Sequence, residues 1–412
     1  MPDRKIHYAW LIVFSGLLTL FSCMGLARFA LGMLLPSMGV DLNLSYSEMG
    51  IISTSNFTGY LVSVFLCGRM IRDFGERKTI VFGLTLITIS MLLISQSDEY
   101  LLILLLYFLT GIGSGAANIT AMTLVAHWFS QKYRGRAAGY MIFGNGLGIT
   151  ASGLLIPWFN ENWPELGWRL GWEVFAIISA LITLIVALII RNKPSDIGLG
   201  ILGDAKAGSQ KFSSSSFRSK PEGKSSLIAH IGMIYFIFGF TYVIYTTFIV
   251  TSLVEQHGYS EDEAGHLWML IGIVSIFSGA LFGWVSDHYS RKAGIISVYT
   301  IQTASYLLAA TDAGETGLLV SMLLFGLTAF SIPAIIAATI SDHFQACDAG
   351  RIFGYVTLFF AVGQTAGPAL SGYLAELSGS FATGYALAAF MTFTGILLTW
   401  LLRESRTTIK MR

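Results

Sequence analysis

Twelve stretches of this chain are each long and apolar enough to cross a lipid bilayer. They fall at 9–36, 47–70, 78–97, 100–128, 137–159, 169–190, 226–253, 264–285, 293–310, 317–341, 351–375 and 381–402. A spanning helix needs about 20 predominantly apolar residues. Hydrocarbon offers no water to the backbone, so each stretch must satisfy its own N–H and C=O groups by coiling into a helix. The expected fold class is therefore an all-α integral membrane protein with twelve transmembrane helices. Charge content agrees, because only 12% of the 412 residues are charged, against roughly 25% in soluble domains.

Charge placement supports the same count. Twelve crossings put both termini on one side. All of the 25 Lys and Arg except Arg28 and Arg169 then fall on that side, while 14 of the 24 Asp and Glu lie at or near the other. This basic bias predicts cytoplasmic termini in a multi-pass cell-membrane protein. The three cysteines, Cys23, Cys67 and Cys347, have no disulfide or metal-ligand spacing. The first apolar run exceeds a signal-peptide core and is expected to be retained.

The run from Arg191 to Ser226 interrupts the pattern. It holds Gly208-Ser209-Gln210-Lys211, then Ser213 to Ser216, then Lys220, Glu222 and Lys224. Such a composition predicts a flexible polar linker. The expected division is 1–192 as a first six-helix bundle, 193–225 as linker and 226–412 as a second six-helix bundle.

The two halves repeat with a fixed offset. Gly68 corresponds to Gly283, 215 residues on, and Arg136-Ala137-Ala138-Gly139-Tyr140 corresponds to Arg351-Ile352-Phe353-Gly354-Tyr355. A shared offset across separate features indicates duplication. The second copy of one loop reads Gly283-Trp284-Val285-Ser286-Asp287-His288-Tyr289-Ser290-Arg291-Lys292, and the first reads Gly68-Arg69-Met70-Ile71-Arg72-Asp73-Phe74-Gly75-Glu76-Arg77-Lys78. On these residues the chain resembles the major facilitator superfamily over nearly its full length, with the major facilitator fold that this implies. Asp287 with Arg291, and Arg72 with Glu76, are opposite charges four apart. Both pairs are expected to act as gating latches between helices, with the signs exchanged in the first copy.

Further residues narrow the resemblance. His127-Trp128-Phe129 followed by Arg134-Gly135-Arg136-Ala137-Ala138-Gly139 is similar to a loop of monocarboxylate and oxalate/formate transporters. Gly25-Leu26-Ala27-Arg28-Phe29 resembles a first-helix signature of a poorly characterised prokaryotic subgroup. The monocarboxylate branch often carries an arginine in its eighth helix, where this chain has Ile276, Phe277 and Ser278. Arg28 would take that role from the other half.

Arg28 is the one ionisable residue of the first segment. A charge at that depth costs several kcal/mol, so it faces a protein interior or a wet path. Met24, Gly25, Leu31 and Gly32 lie three or four residues away, and two glycines favour a cavity or a close helix over lipid. An arginine fork fits a carboxylate with two parallel hydrogen bonds. In the superfamily, helices 1, 4, 7 and 10 surround the path, with substrate near the midplane. The fourth segment offers Asn118, and the seventh offers Tyr235, Tyr242 and Tyr245 at spacings of seven and three. Tyr242 stands near Arg28 by the repeat offset. Asn56 and Tyr60 in the second segment, Asn145 in the fifth and Gln364 in the eleventh are further candidates. The expected substrate-binding set is Arg28, Asn118, Tyr242, Tyr245, Asn145 and Gln364.

No Asp or Glu lies in the middle third of any segment, and Gly144, Gly146 and Gly148 have no preceding strand that would make them a nucleotide loop. No metal site, cofactor, nucleic-acid partner or catalytic cluster is expected, so an enzyme is not. If protons couple to transport, His266, a tyrosine or the substrate's own carboxylate would carry them. The expected function is a monomeric secondary or exchange transporter of a small organic anion, a monocarboxylate. The alternatives are an exporter of amphipathic compounds, for which the fifth segment lacks a G-x-x-x-G-P run, and a non-transporting receptor on the same fold.

Overall fold

A computed structural model describes residues 7–203, 225–311, 313–344 and 346–402. All twelve expected helices are present. They are α1 Ala9–Leu42, α2 Tyr46–Phe74, α3 Glu76–Ile94, α4 Tyr100–Trp128, α5 Gln131–Asn162, α6 Gly167–Ile189, α7 Ser225–Glu255, α8 Glu261–His288, α9 Arg291–Ala310, α10 Gly314–His343, α11 Ala346–Ser378 and α12 Ala382–Leu401. Most outrun their apolar segments, because capping and loop contacts extend a helix past the hydrocarbon. Ser45 and Ser260, for example, close capping boxes with Glu48 and Glu263 at the starts of α2 and α8. The 204–224 part of the expected linker, with its serine run, lies outside the described residues, as does the side chain of Cys347. Residues 193–203 are ordered onto the first half: Pro194–Ile197 forms a 3₁₀ turn, and Leu202 bridges to Phe129.

Glycines set how closely the helices approach. A Cβ on Gly59 or Gly111 would strike backbone of α4 or α2, and one on Gly144 would strike Leu17 of α1. The glycine run of α5 is thus a packing surface, as its position inside a membrane helix predicts. The two six-helix bundles meet along three seams: α1 against α7, α2 against α11, and α5 against α8. Gly32 abuts Thr246, Gly50 abuts Pro368, and Gly146 and Gly153 abut Gly272 and Gly265.

The ends of the bundle differ. The end where α1 begins and α12 finishes is termed the terminal end, and the opposite end distal. Hydrogen bonds joining the halves cluster in the distal half. Tyr46 donates to Glu255 (2.8 Å), the Ser47 N–H to Glu376 (3.1 Å), and Asn160 to Glu261. Deeper, Ser53 meets Thr247 at 2.9 Å, Thr54 donates to the Thr365 carbonyl at 3.0 Å, and the Trp268 indole donates to Ser152 at 3.1 Å. Toward the terminal end, a Cβ on Gly68, Gly139, Gly283 or Gly354 would meet nothing within 4 Å.

Two helices are irregular. In α1, Phe21–Phe29 winds as a π-helix, and the Ala30 N–H reaches back to Gly25. Hydroxyls of α4 brace this wide turn: Ser114 donates to the Cys23 carbonyl at 2.8 Å and Tyr107 to the Arg28 carbonyl at 3.1 Å. Wide turns of this kind concentrate at functional sites. In α10 the coil breaks at Ala329–Ser331 before Ile332–His343 resumes. Ser278 of α8 clamps the break, accepting from the Phe330 N–H at 3.2 Å while its carbonyl accepts from Ser331 at 3.0 Å.

Candidate functional site

Arg28 ends the π-turn. Because α1 runs on to Leu42 rather than stopping at Pro36, the guanidinium lies about 21 Å of helix rise from the distal end. That is near mid-depth, deeper than the 12 Å or so implied by a stop at Pro36. Its side chain turns inward. Only 5% of the residue is exposed. The guanidinium carbon rests 4.1 Å from the Phe57 ring centre and 4.7 Å from that of Tyr60. These rings, three apart on α2, give it a π-face worth about 0.5–2 kcal/mol.

What Arg28 lacks is an anion. Its one hydrogen bond among the described residues is a weak one, Nη1 to the Met24 sulfur at 3.8 Å. Nε and Nη2 have no partner, and the residue makes no ion pair among the described residues. A buried charge without a counter-charge costs several kcal/mol. Beside it lies a small cavity of about 10 Å³, lined from the first half by Arg28, Ser53, Asn56 and Tyr107 and from the second by Thr246 and Thr247. Asn56 donates to the Tyr107 carbonyl at 3.2 Å, which leaves its Oδ1 unpaired. The seam between the halves therefore holds one cation, an unpaired amide oxygen and several hydroxyls within apolar walls.

The other expected site residues divide. Asn118 donates to the Tyr60 hydroxyl at 2.9 Å, so it fixes the ring under the guanidinium. Gln364 donates to Tyr242, whose ring stacks parallel to Phe238 and Phe360. Asn145 is buried on α5 behind the π-turn with Oδ1 unpaired. Tyr245 is not brought to Arg28. It meets Ser321 at 2.7 Å and stacks on Phe325 of α10, inside the second half. Three residues on an α-helix turn about 300°, enough to carry Tyr245 off the stripe that Tyr235 and Tyr242 share. Ser53, Phe57 and Thr247 were not among the expected residues. The signal for two of them was present: 53, 56, 57 and 60 follow helical spacing on one face of α2.

Tyr60→Phe separates ring from hydroxyl. It is expected to strand the Asn118 amide and lower stability by about 1 kcal/mol, with the ring under Arg28 intact. Tyr60→Leu removes the ring as well and should also weaken anion binding. Thermal unfolding and ligand titration of both variants check this.

The expected latches form unequally. Arg291 contacts Asp287 as expected, and it also bonds Asp342 at 2.7 Å and Ser286 at 3.1 Å. Arg72 and Glu76 do not pair. Arg72 reaches Asp73 at 3.1 Å, which Arg69 joins at 3.6 Å, while Glu76 faces His127 at 3.2 Å. Each charge is taken by another partner across the joint where α2 ends at Phe74, Gly75 takes φ +80° and α3 starts at Glu76. His266 pairs with Asp262 on the exposed distal surface, away from the cavity.

A twelve-helix bundle in two packed halves, with a cation set in the seam, is the build of a membrane carrier. A family model described as the uncharacterised MFS-type transporter YbfB matches residues 20–400. The chain belongs to that family of the major facilitator superfamily; it is a multi-pass secondary transporter and not an enzyme. It is 22% identical over 380 residues to the hexuronate transporter of Bacillus subtilis (strain 168), covering 88% of this chain and 87% of that one. It is 23% identical over 316 residues to the 4-hydroxybenzoate transporter PcaK of Acinetobacter baylyi, covering 71% and 68%. The fold is similar to that of a D-xylose-proton symporter, with TM-score 0.76 and 15% identity over 97% of this chain and 98% of that one.

Proposed function

We propose that the chain carries a small organic anion, a monocarboxylate, across the cytoplasmic membrane by alternating access, with both termini in the cytoplasm. The observation that carries this reading is the inward-facing Arg28 with Nε and Nη2 unpaired beside a cavity shared by the two halves. A carboxylate accepting from those two nitrogens would supply the missing counter-charge and two charge-assisted hydrogen bonds. One guanidinium in a largely apolar and aromatic setting suits one negative charge on a short carbon skeleton. Two relatives at low identity have names that denote carboxylates, hexuronate and 4-hydroxybenzoate, which supports the anion class.

In this reading residues 1–192 rock against 226–412, joined by 193–225. Asn118 and Gln364 orient Tyr60 and Tyr242 at the site. Asp287 and Arg291 belong to the terminal-end gate, and Arg72 and Glu76 move with the matching loop of the first half. The distal seam, closed by Gly32 on Thr246 and the Ser53–Thr247 contact, would part to admit or release substrate.

The test is a thermal-shift screen of purified protein against small carboxylates, repeated with Arg28→Ala. Ligand at 100 times its Kd stabilises by about 2.7 kcal/mol, so a shift of a few degrees is expected from at least one acid. Equal shifts in the Arg28→Ala protein would sink the proposal.

A further inference from the structure

Applying the 215-residue offset to the terminal-end loops exposes a second pairing. Glu76 maps onto Arg291, and His127 maps onto Asp342. In the second half Arg291 Nε lies 2.7 Å from Asp342. In the first half His127 Nδ1 lies 3.2 Å from Glu76. Each pair ties the start of one helix, α3 or α9, to the end of the next, α4 or α10. The duplicated latch has kept its geometry and exchanged its charges. In the exchange, the always-charged arginine position became an acid, and the acid position became an imidazole.

We propose that Glu76 and His127 form a proton-binding site that fastens the terminal-end loop of the first half when protonated. Arginine stays charged throughout the neutral range, so the second-half latch is permanent. Histidine carries charge only when protonated. The Glu76 side chain is 12% exposed, so its attraction to an imidazolium is screened less than at an open surface. Several charged groups on the neighbouring elements are engaged elsewhere, and no ion pair of Lys78 or Arg136 with Glu76 is present among the described residues. Asp73 of α2 is held by Arg69 and Arg72. Arg77 of α3 donates to the Ala187 carbonyl, and Arg134 of α5 to those of Phe129 and Ala126. Lys132 of α5 lies over the Tyr133 ring. Arg191 donates to Leu188 and Ile190, Asp196 caps Lys193, and His7 accepts from the Ala9 N–H. His127 is the ion-pair partner that remains for Glu76 among the described residues.

The sign follows from the chemistry. In the acidic range where an imidazole is protonated, both members are charged and the latch is an ion pair. As pH rises through that range, the imidazole loses its charge and only a hydrogen bond to the carboxylate remains. A chain with no acid in the middle third of any helix thus has a proton-dependent element outside its substrate site.

Hydrogen–deuterium exchange on the full-length protein in nanodiscs tests this at about pH 5.5 and about pH 8, corrected for intrinsic exchange. Peptides spanning 74–80 and 124–130 should exchange several-fold more slowly at the lower pH, while those at 289–295 and 338–343 should not respond. His127→Arg should hold the slow rate at both pH values, and His127→Gln the fast rate at both. Glu76→Gln, which keeps the side-chain shape, should also erase the response. A wild-type protein with no pH difference, or a His127→Gln protein that keeps it, overturns the proposal. Neither outcome depends on which substrate binds Arg28.

Discussion

Arg28→Ala is expected to lower carboxylate exchange by about thirty-fold or more in proteoliposomes. Truncating one partner of a buried hydrogen-bonded charge pair costs about 2–5 kcal/mol, and each 1.4 kcal/mol or so is a factor of ten. The same change should not destabilise the ligand-free protein, because it removes a buried cation that has no counter-charge. Its melting temperature should equal or exceed the parent's. Arg28→Lys keeps the charge but loses the planar fork and its stacking on Phe57 and Tyr60. It should therefore retain partial activity with weaker affinity. Parental exchange rates in the alanine variant would remove Arg28 from the substrate site. A large loss of stability in that variant would instead mark the residue as structural.

Gly32→Leu and Gly111→Leu should separate transport from folding. Both glycines lie where a Cβ would strike a carbonyl oxygen, of Thr246 for Gly32 and of Asn56 for Gly111. Gly111 packs within the first half, where α2 and α4 must stay together. Overpacking there costs about 1–3 kcal/mol or more, so Gly111→Leu should lower yield and melting temperature sharply. Gly32 faces across the seam, which by the proposed cycle must open in any case. Gly32→Leu should fold and hold the distal end apart, with transport reduced at least tenfold. A cysteine at position 53, Ser53→Cys, in a protein lacking its three native cysteines reports the outcome. Its labelling by a membrane-impermeant thiol reagent from the distal side should rise strongly in Gly32→Leu. Unchanged labelling together with normal transport would refute the proposed opening of this seam.

Much of this architecture was legible in the chain. Helix count and the duplication follow from apolar run length and the 215-residue offset, and α1–α12 all appear where the runs predict. Arg28 stood out because hydrocarbon tolerates no casual charge. The latch at Arg72 and Glu76 was misread. Asp73, next in the chain, takes Arg72, while His127 of α4 takes Glu76, and a spacing of four shows neither competitor. Tyr245 was misread because its spacing from Tyr242 approximates a stripe that a full helical turn does not keep.

The sequence alone determined that this chain is a duplicated twelve-helix membrane protein with one charge inside its first helix. Apolar length and charge cost act on each segment separately, so both are readable residue by residue. Only the tertiary structure decided what surrounds that charge: the π-turn braced by Ser114 and Tyr107, the rings of Phe57 and Tyr60, and the cavity shared with Thr246 and Thr247. It also replaced the Arg72–Glu76 pair with Glu76–His127. Apolar residues facing lipid and those facing another helix read alike, since both avoid water. Which faces meet depends on the shape fit of distant glycines and hydroxyls, and no local pattern encodes that.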